Sequence, residues 1–288
     1  MHTVSVFGTG TMGQGSAQIV ALSGHPTRVF DAMPGRAEQA IAAIGAQLEK
    51  LVAKGKISAV ARADALRAIT PAGDIASACV GAGVIVEAVP ENIDLKVALF
   101  REIIASAPAD ALLGSNTSSL SITELGARTG AAERLVGLHF FNPPPVIELL
   151  EIVRGFATPD GAIERALAFA KGLGKVPIVV RDVPGFASSR LGVILGAEAI
   201  RMLESGVATV TDIDRAMELG YRHPMGPLKL TDLVGLDVRL AILEHLHKEI
   251  GEQFRPPALL RQMVRAGKLG KKAGEGFYVW REGGPIAR

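Results

Sequence analysis

The 288-residue chain contains one cysteine, Cys79, which excludes an internal disulfide and any cysteine-based zinc site. Next to Val80, that thiol is expected to pack as a small buried hydrophobe. No charge of one sign dominates: 31 Lys and Arg against 29 Asp and Glu give a formal net charge of +2. With no long basic block, nothing points to a nucleic-acid partner. No apolar run reaches the roughly 18 residues that a membrane span needs. The N-terminus passes straight into the β-rich run Thr3–Phe7, without the charged and apolar regions of a secretory signal. The expectation is a cytoplasmic protein with no membrane partner and no metal. Aromatics make up only 5% of the chain, whereas Gly occurs 33 times, a composition suited to helices packed close on a sheet. Hydrophobic residues reach 48%, enough to bury one large core or two smaller ones.

The first half alternates β-rich runs with helical patterns. Strands are predicted at Val4–Phe7, Arg28–Asp31, Val84–Ala88, Ala111–Ser115 and Leu135–Phe140, then at Glu148–Val153 and Val176–Val180. Helices are predicted at Gly13–Gly24, Arg36–Lys54, Leu95–Ser106 and Pro159–Leu173. This alternation implies an α/β fold with a parallel sheet covered on both faces. The turn Asp182-Val183-Pro184-Gly185 marks a boundary. The expected division is a dinucleotide-binding domain over 1–183 and an all-helical domain over 184–288. In the latter, helices are predicted at Leu191–Leu203, Val210–Leu219, Leu228–Ile250 and Ala258–Ala266.

The first strand runs into Gly8-Thr9-Gly10-Thr11-Met12-Gly13 and then a helix. In a G-x-G-x-x-G turn the first glycine permits the tight bend, the second admits a pyrophosphate and the third lets helix and strand pack closely. Amides at the helix start hold the phosphates. Asp31 ends the second strand, about 20 residues on, where an acid meets the ribose 2′-hydroxyl. It would repel a 2′-phosphate, so the expected cofactor is NAD rather than NADP, although Arg28 and Arg36 lie close by.

Ligands of such sheets sit beyond the carboxyl ends of the strands. Three polar clusters fall there: Pro90-Glu91-Asn92, Ser115–Ser119 and His139–Pro143. Glu151 stands within the apolar run 149–153, where a lone carboxylate needs a partner. If the runs on either side of Pro145 fold back as an antiparallel pair, residues 139 and 151 face each other. A buried carboxylate would orient the imidazole, which could then take a proton from a hydroxyl while hydride leaves the adjacent carbon.

With these features in hand, the sequence resembles the L-3-hydroxyacyl-CoA dehydrogenase family over nearly its whole length. The resemblance rests on Gly8–Gly13, Glu87–Asn92, Ser115–Ser119, His139–Pro143, Leu150–Gly155, Pro184-Gly185-Phe186, Gly226-Pro227 and Gly270–Tyr278. It implies a Rossmann domain followed by a helical domain, an acyl-CoA thioester substrate, NAD and a homodimer. It casts His139 as the base, Glu151 as its partner and Ser118 as a hydrogen-bond donor to the substrate oxygen. Asn142 matches a position near the nicotinamide, Glu91 and Lys96 match positions on the cofactor's ribose side, and Lys272 matches a further cofactor position. Lys54, with Lys50 and Lys56 nearby, matches a lysine that binds coenzyme A. Ser189 stands where the family usually carries Asn; it is shorter and offers a hydroxyl in place of an amide. Two other readings keep the same nucleotide fold: a dehydrogenase of a free hydroxy or sugar acid, and a nucleotide-binding relative without turnover. Trp280 reads as a docking anchor, not a catalytic group.

Overall fold

A computed structural model describes residues 2–287. The chain divides into two units, one ending at Val183 and the next starting at Pro184. In the first unit, β1 (Thr3–Phe7), α1 (Thr11–Leu22), β2 (Thr27–Phe30), α2 (Arg36–Ala53), α3 (Ala59–Ala68), β3 (Ile69–Pro71), α4 (Ile75–Cys79) and β4 (Ala82–Glu87) come first. They are followed by α5 (Ile93–Ser106), β5 (Leu112–Ser115), α6 (Ile122–Thr129), β6 (Leu135–Phe140), β7 (Leu149–Arg154), α7 (Asp160–Gly172) and β8 (Val176–Arg181). One eight-stranded sheet results, in the order β3-β2-β1-β4-β5-β6-β7-β8. Its first six strands are parallel and reproduce the 3-2-1-4-5-6 order of a dinucleotide-binding fold. Then β7 runs antiparallel to β6, and β8 parallel to β7.

The core follows from residue choice. β6 and most of β4 are buried along their length, as expected of strands covered on both faces. Val4, Val6, Val86, Leu112, Val136 and Ile152 are among the side chains that close it. Polar side chains fix the helix starts: Ser58 caps α3, Asp74 and Ser77 form a capping box at α4, Asn92 caps α5 and Ser121 caps α6. Cys79 is fully buried. The elements α3, β3, α4 and α6 were not expected from the sequence; β3 is only three residues long, too short to show an alternation.

The second unit contains α8 (Ser188–Glu204), α9 (Val210–Arg215) continued by a π-turn to Gly220, α10 (Pro227–Val234), α11 (Leu236–Glu249) and α12 (Ala258–Arg265). Its core includes Val193, Ile200, Leu228, Leu243 and Leu246. The helix expected over Leu228–Ile250 is divided at Gly235, whose φ of +104° no L side chain readily adopts. The unit is helical, as expected, but ends in a hairpin, β9 (Tyr278–Arg281) and β10 (Gly284–Ala287). Two buried aspartates tie this hairpin down. Asp232 accepts from the amides of Phe277 and Tyr278 and from Trp280 Nε1, each at 2.9 Å. Asp214 accepts from Leu228 N at 2.8 Å, Lys229 N at 3.0 Å and the Tyr278 hydroxyl at 2.7 Å. Trp280 thus anchors the hairpin, in keeping with the docking role expected of it.

Candidate active site

The glycine turn is shaped by close approach. A Cβ on Gly8 would lie 2.7 Å from Ala88 O, and one on Gly13 would lie 1.8 Å from Gly8 O. At Gly10 a Cβ would meet nothing within 4 Å, so the front of the turn is open. No side chain caps the first turn of α1 and no acid sits in it. The amides around Thr11, Met12 and Gly13 therefore keep their capacity for an anion, and these residues fit the pyrophosphate of a dinucleotide. Asp31 follows β2. Its Oδ2 accepts from Thr9 N at 2.9 Å and Thr9 Oγ1 at 2.6 Å, and its Oδ1 from Met33 N at 3.0 Å. Burial works to raise its pKa, but these donors and the Arg36 charge hold it below the ordinary aspartate value. Asp31 thus remains an anion and locks the glycine turn to β2, a duty not visible in the sequence.

Beyond β4 and β5 lies a buried polar network. Glu87, fully buried, accepts from Lys96 Nζ at 2.6 Å, Val89 N at 2.8 Å and Ser115 Oγ at 2.6 Å. Burial pushes its pKa up against these partners. Lys96, expected on the cofactor's ribose side, is 1% exposed; its ammonium is committed to Glu87 and lies 3.4 Å from Glu91. It does not offer its head at the surface, and its charge bears on Glu91. Glu91 Oε1 accepts from Thr117 Oγ1 at 2.6 Å, Ser118 N at 2.9 Å and Ser119 N at 3.2 Å. Burial opposes its charge, but the Lys96 charge and these donors hold its pKa below the ordinary value. Ser118 Oγ lies 3.4 Å from Glu91, a weak bond that leaves the hydroxyl available.

The strands β6 and β7 pair with His139 directly opposite Glu151, the register expected from a turn about Pro145. His139 Nδ1 lies 2.7 Å from Glu151 Oε2. The imidazole is 8% exposed and the carboxylate 0%. An ionised carboxylate only accepts, so Nδ1–H donates to it and the basic lone pair falls on Nε2. The Phe141 ring packs 4.5 Å from the imidazole. Two residues that the sequence reading did not name as site residues support this pair. Asn116 Oδ1 accepts from Phe140 N at 2.9 Å, fixing the end of β6 to β5. Lys175 Nζ donates to Pro144 O at 2.6 Å and Ile147 O at 2.7 Å, bracing the turn between the two strands; burial lowers its pKa.

Among the first unit's other candidates, Asn142 is exposed two residues before Pro144 and Lys54 is exposed at the end of α2. Neither is brought to His139 by a hydrogen bond. In the second unit Ser189 lies in the first turn of α8, half-buried. Lys272 Nζ donates to Asp237 Oδ2 at 2.6 Å.

Comparison with known proteins gives the family. Residues 3–183 match the model of the 3-hydroxyacyl-CoA dehydrogenase NAD binding domain, and residues 185–280 match that of the 3-hydroxyacyl-CoA dehydrogenase C-terminal domain. The 3-hydroxybutyryl-CoA dehydrogenase of Mycobacterium tuberculosis is 41% identical over 284 residues, covering 97% of this chain and 99% of the relative. That of Bradyrhizobium diazoefficiens is 39% identical over 287 residues, covering 98% and 97%. The crystal structure of (S)-3-hydroxybutyryl-CoA dehydrogenase from Ralstonia eutropha superposes with a TM-score of 0.93 at 39% identity, covering 98% of this chain and all of that one. A glycine turn open to a pyrophosphate, two matched family models and full-length relatives agree: the chain belongs to the NAD-dependent 3-hydroxyacyl-CoA dehydrogenase family.

Proposed function

We propose that this protein interconverts an (S)-3-hydroxyacyl-CoA and the corresponding 3-oxoacyl-CoA, with His139 and Glu151 as its acid–base pair. The 2.7 Å contact between a nearly buried imidazole and a fully buried carboxylate, at the end of a sheet strand, carries this reading. NAD, held by Gly8, Gly10, Thr11, Met12, Gly13 and Asp31, supplies the hydride acceptor for the substrate's C3. His139 Nε2 takes the proton of the C3 hydroxyl, and Glu151 stabilises the imidazolium through Nδ1–H. In the reverse direction the imidazolium returns the proton. Ser118 Oγ donates to the substrate oxygen, with Glu91 setting the turn that carries it. Asn142, and Lys96 by way of Glu91, complete the cofactor side. Lys54 attracts the phosphates of coenzyme A.

Assembly as a homodimer belongs to the same proposal. Leu191, Leu230, Leu233, Val234 and Val238 are exposed on the second unit, the first by 68%, an apolar display that another copy would cover. The test is His139→Ala. Turnover of acetoacetyl-CoA with NADH should fall by about 10²–10⁴-fold, while NADH binding, read by fluorescence, persists. Retained turnover would remove His139 from the chemistry.

A further inference from the structure

Glu87 has no place in the chemistry proposed above, yet it is a fully buried acid at the end of β4, inside the first unit. Its counter-charge, the Lys96 ammonium at 2.6 Å, is 1% exposed. A buried ion pair seldom repays the desolvation of both partners, and apolar side chains of similar volume would hold a fold as well or better. Stability alone therefore does not account for the pair. Its hydrogen bonds point elsewhere. Both carboxylate oxygens are committed, and each starts an arm that ends on the same three residues, Thr117, Ser118 and Ser119.

The first arm leaves from Oε1, which accepts from Lys96 Nζ. That ammonium lies 3.4 Å from Glu91 Oε2. The other oxygen of Glu91 accepts from Thr117 Oγ1 at 2.6 Å, Ser118 N at 2.9 Å and Ser119 N at 3.2 Å. The second arm leaves from Oε2, which accepts from Ser115 Oγ at 2.6 Å, on the residue paired with Glu87 across β4 and β5. Having given its only proton to the carboxylate, this hydroxyl presents lone pairs to Thr117 N, 3.4 Å away. Two arms thus fix one turn, and Ser118 is its middle residue. We propose that Glu87 is a positioning residue for the reaction: its charge holds Lys96 and Ser115 in place and, through them, sets the Ser118 hydroxyl against the substrate oxygen. This rests on the function proposed above and on the role given there to Ser118. The amide of Glu87→Gln keeps the shape of the side chain but has one acceptor oxygen. Lys96 Nζ and Val89 N both need that acceptor, so the NH₂ group turns to Ser115 and reverses the second arm. In the first arm the ammonium, short of its counter-charge, is drawn toward Glu91 and competes with the turn for that carboxylate.

The test is a double-mutant cycle on the reduction of acetoacetyl-CoA by NADH, with Glu87→Gln, Ser118→Ala and the two together. Glu87→Gln should lower kcat by about tenfold or more, because a donor misplaced by about 1 Å loses much of its effect on the transition state, and should leave the KM of the thioester within about threefold. In the Ser118→Ala background the same change should cost less than about twofold, since the group that Glu87 positions is gone. Equal costs in the two backgrounds overturn the proposal, because a general loosening of the fold acts whether or not the hydroxyl is present. So does a kcat in Glu87→Gln within about threefold of wild type. If Glu87→Gln does not fold, Glu87→Gln/Lys96→Met, which removes both buried charges, takes its place in the cycle: a kcat down by about tenfold or more in a folded protein supports the role, and a wild-type kcat overturns it. If the wild type reduces no thioester, the reaction class has failed rather than the positioning of the turn. Hydrogen exchange at the amides of Ser118 and Ser119 then decides. Faster exchange there in the folded variant, with the amides of β6 and β7 unchanged, supports the role of Glu87; exchange unchanged at the turn, or raised equally throughout the sheet, overturns it.

Discussion

Replacing Glu151 by Gln keeps the shape of the side chain and removes its charge, so it isolates what the carboxylate does for His139. The bond at stake is 2.7 Å long and its acceptor is fully buried. A hydrogen bond to a charged group contributes about 1.5–3 kcal/mol. If that contribution is expressed only when the imidazole gains its proton, the loss corresponds to about 13- to 160-fold in kcat at 1.36 kcal/mol per decade. A second effect adds to it. An amide that turns its NH₂ toward Nδ1 forces the ring proton onto Nε2, where the base must be free. The expected fall is therefore about 10²-fold or more. The assay is the initial rate of NADH consumption at saturating acetoacetyl-CoA, with NADH affinity measured alongside to show that the cofactor domain is intact. A kcat within about threefold of wild type, with normal NADH binding, would refute the claim that Glu151 works through the imidazole.

Two other perturbations address the scaffold around the site. Lys96→Met leaves the Glu87 carboxylate buried without its cation, which should cost about 3–5 kcal/mol and lower the unfolding temperature by roughly 6–20 °C. Because the folded-state pKa of Glu87 is raised, its protonated form favours the fold. The penalty in Lys96→Met should grow as pH rises from the ordinary carboxylate range through that raised value and shrink on acidification, and adding Glu87→Gln should recover much of the loss in thermal melts. Asp31→Asn should weaken NADH binding and reduce discrimination against NADPH by about tenfold in the ratio of Kd values. Since the Asp31 pKa is lowered, its carboxylate supports the fold above the ordinary aspartate value of 3.8 and loses that role only as pH falls through the lower folded-state value; wild-type NADH affinity should stay flat from pH 8 to 5.

What could be read from the sequence was what depends on short spacing. The glycine turn lies in six consecutive residues between a strand and a helix, each glycine with a distinct steric reason. The facing of His139 and Glu151 follows from the central turn of the β6–β7 hairpin, because an antiparallel register fixes pairs that share a midpoint. Other features depend on contacts that no local pattern records. Lys175 braces the turn between β6 and β7 through two backbone carbonyls, which any residue could provide. Glu87 reads as the last residue of an apolar strand until Lys96, Val89 and Ser115 are seen around it. The break at Gly235 was hidden because α10 and α11 share one helical periodicity across it, and only its positive φ ends the first. The hairpin that completes the helical unit is held by Asp214 and Asp232, which look like ordinary polar positions in their own helices.

The central claim is that a buried His–Glu pair supplies the proton, and NADH the hydride, when a 3-oxoacyl thioester is reduced, and it is tested most directly by absorbance at 340 nm with NADH and acetoacetyl-CoA, next to free acetoacetate and next to NADPH. The account predicts rapid loss of signal with the thioester and NADH, and little with the free acid or with NADPH. Loss of signal with free acetoacetate but not with the thioester would contradict it.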